Sequence, residues 1–443
     1  MKGKVLYFFV TSALYGALSF IDIKIAVFVY IILISFALLF EKYDNIIFIF
    51  LLLSLFLIPL WVNSYGLFGI SLGIIKINYP LIGLILFSIA IVKRGYIKKI
   101  GSNVDIVVFL FFIYLLISIL TNHTSETLAS SYVVIFPFLF YFLFAFLRSI
   151  YNINDIFYLL KISLIALIVE GLLFIIMYIL QVSPFAEPLE LYGRTTEYIS
   201  LKVFQPVGAS GPVVMGYFFI IGILISYMLY KTTSRNLYLF GSYFFIIPLF
   251  ATVTRFPLFI GISCLIIITF KAIKSRRAII ALIIFLFGFL IFSFIGLLDV
   301  LSKGIYERGK ETDILIEFEQ RWYVAVSRVS DYLLSNYKNL LFGAGYQLFR
   351  ELPYGLAAHN LFIAQAADFG LVGLLLMIFL FYSMIRYIKT YKCPSMFQKN
   401  LGRIIIYSII IWIINGSVQY AAYSFQFYTF IFLLFNFFVS LRK

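Results

Sequence analysis

The chain has 443 residues, of which 63% are hydrophobic and only 12% charged, and its formal net charge is +15. A soluble protein carries about 25% charged residues, so the composition excludes a soluble globular domain. It indicates a polytopic membrane protein. Alternating segments of about ten residues, as in a transmembrane β-barrel, are absent from the sequence, and the predicted fold is therefore all-α, a bundle of transmembrane helices.

Apolar runs long enough to cross a bilayer recur along the whole chain and predict about 14 spans, within a range of 12–14. Spans 1–11 lie within residues 1–298, a long polar outer loop follows at 299–358, and spans 12–14 lie within 359–443. In chain order the predicted spans are 5–21, 25–40, 45–61, 77–92, 104–120, 128–147, 159–180, 207–230, 237–253, 256–270, 278–298, 360–382, 404–419 and 424–441.

The distribution of Lys and Arg predicts the orientation, because short cytoplasmic segments are enriched in both. With the N-terminus inside, the inner segments hold 21 of the 34 basic residues and the short outer loops hold five. Both termini are then cytoplasmic and the 299–358 loop is periplasmic. The positive charge thus reflects topology, and we expect no nucleic-acid partner. Cys264 and Cys393 have no plausible partner, so neither a disulfide nor a metal cluster is expected.

Two further outer segments contain features of interest. Residues 181–212 combine several prolines and glycines with charged residues, including Arg194, and such a stretch cannot form a regular helix. Residues 251–257 read as a tight turn that places Arg255 at the outer surface. A guanidinium there either snorkels to water or provides a fixed cation for phosphate, whose geometry suits its fork.

The long loop is predicted to contain an amphipathic helix over 313–336, because its apolar residues recur at spacings of three and four. Arg321 and Arg328 lie seven residues apart, on one face of this helix. An ordinary ion pair with Glu317 is the alternative role for Arg321. Residues 342–346 form a turn. The apolar stripe consists of Phe318, Trp322, Ala325, Val329 and Leu333.

His359 stands where the chain re-enters the membrane. On a regular helix, Ala366, Gly370 and Gly373 fall on its face, which leaves room for a close helix or a ligand. Asp368 falls on the opposite face and should not pair with it. The alternative to a functional role for His359 is a helix-capping or interfacial histidine.

Other common sites are not indicated by the sequence. There is no paired-carboxylate or DxD motif, no phosphate-binding glycine loop and no zinc-ligand spacing. Lys161 and Glu170 share one span but lie on opposite faces, which does not suggest a proton relay. We therefore expect any chemistry to occur at the outer face, without a metal ion or other cofactor.

Together, the motifs from 254 to 373 resemble a known family. The residues are Thr254-Arg255, Gln320-Arg321-Trp322, Leu341-Phe342-Gly343-Ala344-Gly345-Tyr346, His359-Asn360-Leu361 and Gly370-Leu371-Val372-Gly373. Their order and spacing resemble those of the O-antigen ligase and polymerase superfamily of bacterial envelope glycosyltransferases.

This resemblance implies a multi-pass protein of the bacterial inner membrane with its active site facing the periplasm. Its donor would be an oligosaccharide linked to undecaprenyl diphosphate, and its partners would be membrane lipid and a chain-length regulator protein. Arg255 and Arg321 would hold the diphosphate as it leaves, and His359 would be the general base. Arg194, Arg328 and Asn360 complete the set of candidate substrate-binding residues.

The resemblance leaves two reactions open. A polymerase of O-antigen or a related surface polysaccharide would join carrier-linked repeat units, and this is the first choice. A ligase would transfer the glycan to lipid A-core. Ligases often carry a second histidine two positions before the one matched by His359, and this chain has Ala357 there. From another functional class, a flippase or transporter of lipid-linked glycans should show paired ionisable groups in mid-membrane and an internal repeat, and the sequence shows neither.

Overall fold

The structure, a computed structural model, describes a set of ranges that covers most of the second half of the chain. It is mostly helical there. The predicted spans 5–21, 25–40, 45–61 and 278–298 lie outside the described residues, apart from residue 29. The described ranges are residue 29, 69–72, 75–78, 101–122, 132–149, 152–180, 212–252, 254–272, 325–345, 360–418 and 425–442.

Two short strands and a series of helices follow one another in this part of the chain. The strands are β1 Gly69–Leu72 and β2 Ile75–Asn78. The helices are α1 Asn103–Thr121, α2 Tyr132–Leu147, α3 Ile153–Leu180, α4 Pro212–Thr233, α5 Asn236–Phe244, α6 Ile246–Ala251, α7 Arg255–Ala272, α8 Ala325–Leu334, α9 Tyr337–Phe342, α10 Leu361–Thr390, α11 Met396–Val418 and α12 Phe425–Ser440.

Five of the described helices, α1, α3, α4, α10 and α11, are long and apolar enough to cross a membrane. An α-helix rises about 1.5 Å per residue, so about 20 apolar residues cross the hydrocarbon layer. The prediction of a helical membrane protein is confirmed at this level.

Helix α4 lies at the centre of one half of the bundle, packed against α3, α5, α6, α7 and α11. Small residues permit this close packing: a Cβ on Gly222 would come within 2.5 Å of the Phe245 ring. Helix α12 packs between α2 and α11 and is buried over nearly its whole length. A helix that is apolar on all sides is expected to be buried in this way. Trp412 of α11 stacks on Phe427 of α12 with ring centroids 4.1 Å apart.

A buried ion pair ties α1 to the end of α2. The guanidinium of Arg148 donates from Nη1 to Asp105 Oδ2 at 2.9 Å and from Nη2 to Asp105 Oδ1 at 2.8 Å, while its Nε donates to Asn436 of α12. Tyr141 donates its hydroxyl to the same carboxylate. Burial alone would lower the pKa of Arg148, but hydrogen bonding to Asp105 and the charge of Asp105 outweigh it and raise that pKa.

This pair changes how one basic residue is interpreted. Arg148 is among the 21 basic residues that the sequence assigns to solvated inner segments, yet its side chain is 0% exposed. The sequence could not show this, because the acidic partner lies 43 positions earlier in the chain.

Several predicted boundaries are wrong, each for a local reason. Helix α3 begins at Ile153 rather than 159 because Asn152 and Asp155 cap it: Asn152 Oδ1 accepts from Asp155 N at 2.9 Å. The predicted span 237–253 is divided at Phe245 into α5 and α6. Pro248 follows closely and has no N–H for the helix.

Two further differences concern where predicted spans start or end. The span predicted at 77–92 begins inside a strand, since β2 runs to Asn78 and pairs antiparallel with β1. The all-α prediction therefore omits a small hairpin. Helix α10 continues to Thr390, eight residues past the predicted end at 382, and so includes Arg386 and Lys389.

Candidate functional site

Helix α10 is interrupted at Gly370. Its backbone there has φ 67° and ψ −177°, a conformation far from helical. Residues with a Cβ essentially never adopt this region. The break separates a half-helix of nine residues, Leu361–Phe369, from a second part of 20 residues, Leu371–Thr390. At about 1.5 Å per residue, the second part alone is about 30 Å long and can cross a bilayer.

The half-helix does not continue the axis of the second part. Helix α11 touches α10 at two points, where Gly402 meets Ile388 and Gly416 meets Leu361. These points are 14 residues apart on α11, about 21 Å, but 27 residues apart on α10, which would be about 40 Å if it were straight. The half-helix must therefore fold back at Gly370, which brings Leu361 close to the Val418 end of α11.

The turn after α9 fills the break in α10. The Ala344 N–H donates to the Ala367 carbonyl at 2.8 Å, and the Gly345 N–H donates to the Asp368 carbonyl at 2.9 Å. The last carbonyls of a helix have no partner within it, so the turn provides the donors that the half-helix lacks. Gly343 and Gly345 both have positive φ, 69° and 97°.

There is no room for side chains where turn and break meet. A Cβ on Gly343 would lie 2.5 Å from the carbonyl carbon of Asp368, and a Cβ on Gly370 would overlap the carbonyl oxygen of Leu341. The small face predicted at 366, 370 and 373 is thus real: at Gly370 it receives the protein's own turn, and at Gly373 it receives the Tyr114 ring of α1.

Two polar side chains of α1 and Asn122, the residue that follows the helix, hold the same turn. Tyr114 contacts the carbonyl oxygens of Leu341 and Phe369 at 2.5 and 2.6 Å. Ser118 Oγ donates to Phe342 O at 2.9 Å, and Asn122 Nδ2 lies 3.2 Å from Gly343 O. Tyr114, Ser118 and Asn122 are spaced by four, so they form one line along the helix; we call them the α1 ladder.

Helices α8 and α9 cover the half-helix. Val329 and Leu333 of α8 form a small apolar cluster with Ala344 of the turn and with Ala366 and Ala367. Two residues of the predicted stripe, Val329 and Leu333, are 4% and 6% exposed. Partial burial of the Tyr332 side chain on α8 raises the pKa of its hydroxyl.

Asn360 fixes the other end of the half-helix. Its Oδ1 accepts from the N–H groups of Phe362 and Ile363 at 2.8 and 3.1 Å, an N-cap. Its Nδ2 donates to the carbonyl of Ser417 on α11 at 2.8 Å. Asn360 is 2% exposed. These three hydrogen bonds within the protein hold the Asn360 side chain in place.

The predicted turn at 251–257 is shorter in the structure: α6 ends at Ala251 and α7 starts at Arg255, so residues 255–257 are helical. Thr252 and Thr254 are buried and their hydroxyls lie 2.6 Å apart. Thr254 also packs against α4, since a Cβ on Gly216 would lie 3.2 Å from its Oγ1. Arg255 is the first residue of a helix, where its backbone is fixed.

The candidate residues are unevenly covered by the described ranges. Asn360 caps the start of α10. Arg328 lies half-buried on α8, which packs against α10. For Arg255 the structure describes only the backbone. His359, Arg321 and Arg194 lie outside the described residues. His359 nevertheless directly precedes Asn360, whose position is fixed on both sides.

The other ionisable pair singled out in the sequence does not meet. The Lys161 ammonium lies 4.3 Å from the centre of the Phe157 ring. Glu170 is 6% exposed, and its Oε1 has no hydrogen-bond partner. Within the described ranges, no three His, Cys, Asp or Glu side chains are grouped so that they could hold a metal ion.

The α1 ladder was missed by the sequence analysis. A signal was present, because Tyr114 and Ser118 lie four residues apart in a largely apolar span and Asn122 continues the same spacing just after it. A line of polar groups on one face of a membrane helix usually has partners in the protein. The partners themselves, more than 200 positions later, could not be read from the sequence.

No protein-family model matches this sequence, and no curated protein matches it.

Proposed function

We propose that the chain is a glycosyltransferase of the bacterial inner membrane that polymerises O-antigen or a related surface polysaccharide. It would join oligosaccharide repeat units carried on undecaprenyl diphosphate, at the periplasmic face. The observation that carries this proposal is the half-helix Leu361–Phe369, whose N-cap Asn360 directly follows His359 in the chain and which is held off the axis of the rest of α10. The arrangement provides a fixed, protein-covered platform at one end of the bundle.

The topology belongs to the proposal. The bias of basic residues puts both termini in the cytoplasm and the 299–358 loop in the periplasm. The half-helix, the turn after α9 and the Val418 end of α11 then lie at the periplasmic side. Non-helical backbone at membrane depth is tolerated only where protein covers it or water reaches it, and the break at Gly370 is covered by the turn.

The chemistry would need three functions. The anomeric carbon of the donor loses a diphosphate that gains negative charge as the bond breaks, and Arg255 and Arg321 would stabilise it. His359 would accept the proton of the attacking hydroxyl, a contribution typically worth 10²–10⁴-fold in rate. Arg328, half-buried on α8 above the half-helix, and Arg194 would add positive charge for the carrier. The proposed reaction uses no metal ion, because the sequence offers no DxD pair on the outer face.

The polyprenyl tail stays in the lipid, so donor and acceptor must meet at the membrane edge. A loop that folds onto the end of a transmembrane bundle suits this requirement. The contacts of α8 and α9 with α10 support it.

A deletion strain tests the reaction class. Loss of polymer, with single repeat units still attached to the acceptor, is the expected result. Polymer that accumulates on the carrier lipid would indicate the ligase reaction instead. Unchanged transfer of single units together with normal polymer would rule out both. Purified protein with a carrier-linked donor should also form polymer in excess chelator, whereas activity restored only by magnesium would contradict the metal-free mechanism.

A further inference from the structure

At the C-terminal end of the half-helix, the hydrogen-bond donors to its last carbonyls come from elsewhere in the chain. Its carbonyls at Ala367 and Asp368 accept from the turn, and its last carbonyl, at Phe369, faces the Tyr114 hydroxyl at 2.6 Å. Helix-terminal carbonyls buried without donors are costly. The position of the C-terminal end of the half-helix is therefore determined by the turn and by α1 together.

The α1 ladder also holds the turn from its other side. The C-terminal carbonyls of α9 are unpaired within that helix, and the ladder contacts them: Tyr114 at Leu341, Ser118 at Phe342 and Asn122 at Gly343. The Tyr114 ring stacks on the Phe342 ring, with centroids 6.0 Å apart. One residue of α1 thus touches both the turn and the half-helix.

The turn after α9 has little room to move relative to the break in α10. Gly343 and Gly370 each sit where a single added carbon would collide with the opposite backbone. Gln365 Nε2 reaches across the break to the Gly373 carbonyl at 3.3 Å. If the turn shifts, the half-helix must shift with it.

We propose that Tyr114, Ser118 and Asn122 are positioning residues: by holding the turn in the break of α10, they fix the C-terminal end of the half-helix, and together with the Asn360 contact to α11 at its other end they set the orientation in which the half-helix presents His359. This inference rests on the proposed role of His359 as general base. The half-helix is about 13 Å long, so a tilt of about 5° at the break moves its far end by about 1 Å. A misplacement of about 1 Å can cost 100-fold in rate.

Tyr114→Phe is the cleanest probe, because it keeps the ring that stacks on Phe342 and removes only the hydroxyl. We expect a three- to tenfold lower kcat, in keeping with the loss of about one hydrogen bond, with the donor KM within about twofold. Ser118→Ala is the second variant. Thr121→Ala is the matched control: its hydroxyl bonds only carbonyls of its own helix, those of Ile117 and Ser118. It should leave kcat unchanged.

A double-mutant cycle with His359→Ala separates positioning from general damage. If the α1 ladder acts through His359, Tyr114→Phe should lower kcat no further once the imidazole is gone. An equal fold-loss in both backgrounds, or a loss that appears only as reduced protein in the membrane for both ladder variants, would overturn the inference.

A measurement that needs no enzymatic activity completes the test. A nitroxide at His359→Cys, in a Cys264→Ser, Cys393→Ser background, reports the mobility of that position. Tyr114→Phe should make the label more mobile and Thr121→Ala should not. An unchanged spectrum refutes the positioning role whatever the reaction. A changed spectrum with full turnover in His359→Ala refutes the base instead and leaves the mechanical link standing.

Discussion

Arg148 grips Asp105 with two guanidinium nitrogens, at 2.9 and 2.8 Å, while its own side chain is 0% exposed. The pair joins α1 to the end of α2, and Asn436 adds α12. The contact lies at the opposite end of α1 from Asn122. Helix α1 is therefore anchored at one end by charge and at the other by the turn that fills the α10 break.

Removal of one member of the Arg148–Asp105 pair should lower the stability of the protein. Arg148→Ala leaves the carboxylate of Asp105 without its counter-charge, and we expect a loss of about 3 kcal/mol in the free energy of unfolding. Thermal unfolding of the purified protein in detergent measures this. Arg386→Ala, at an exposed position on α10, is the control and should change stability little. A paired change, Asp105→Leu with Arg148→Met, should recover most of the loss, and a further loss would contradict this account.

The glycines at the break should not tolerate alanine. Gly343→Ala and Gly370→Ala each add a Cβ to a positive-φ residue in contact with opposing backbone. A Cβ in this glycine-only backbone region costs about 1–3 kcal/mol, and the collision adds to it, so we expect at least about 2 kcal/mol. Gly101→Ala has nothing within 4 Å of its added carbon and serves as the control. Equal melting temperatures for all three variants would show that the turn does not occupy the break.

Topology can be tested with an impermeant thiol reagent. In a Cys264→Ser, Cys393→Ser background, Ser330→Cys on the exposed side of α8 should label in intact spheroplasts, because we predict that the 299–358 loop is periplasmic; the complementary measurement on Cys393 uses Cys264→Ser alone. Labelling only after lysis would reverse the orientation.

The native Cys393 provides the complementary site in this experiment. It lies between α10 and α11, in the segment predicted to be cytoplasmic, and should label only after lysis. Burial raises the pKa of the Cys393 thiol, although Lys399 partly offsets this. A raised pKa means less thiolate at neutral pH, so the labelling rate should climb more steeply on the alkaline side than for an exposed thiol. Labelling in intact spheroplasts would contradict the assigned side.

The two arginines proposed for the diphosphate should not be replaceable by lysine. A lysine keeps the charge but loses the planar fork that binds phosphate oxygens in pairs. We therefore expect Arg255→Lys and Arg321→Lys to lose most polymer while the protein level in the membrane stays normal. Full activity of either variant would return that residue to the snorkelling or ion-pair role.

His359 should be needed for turnover and not for donor binding. His359→Ala should remove most activity but keep the carrier lipid bound, since the arginines hold the diphosphate. His359→Gln keeps a hydrogen bond but accepts no proton, so it should be almost as inactive. The wild-type rate should fall in acid as the imidazole becomes protonated and can no longer act as a base. Normal polymer from well-expressed His359→Gln would leave only a capping role.

The sequence by itself predicted the features that depend on local composition. Apolar runs placed α1 at 104–120 and α12 at 424–441, within one residue of the observed bounds. Turn residues placed the bend between α6 and α7, and the glycines at 343 and 345 marked the turn after α9. Each of these signals arises from neighbours within a few positions, where helix periodicity and backbone sterics act directly.

Only the tertiary structure decided how those pieces meet. A straight-helix projection cannot cross a break, so the sequence did not indicate that Leu341 would pack against Gly370. Nor could it show that Tyr114 bonds a carbonyl 227 positions later, or that Arg148 is buried. Apolar spans have similar compositions, so the sequence of a span does not specify which other helices it packs against. The choice is made by a few polar groups and glycines, whose hydrogen bonds and close contacts are satisfied only when the chain is folded.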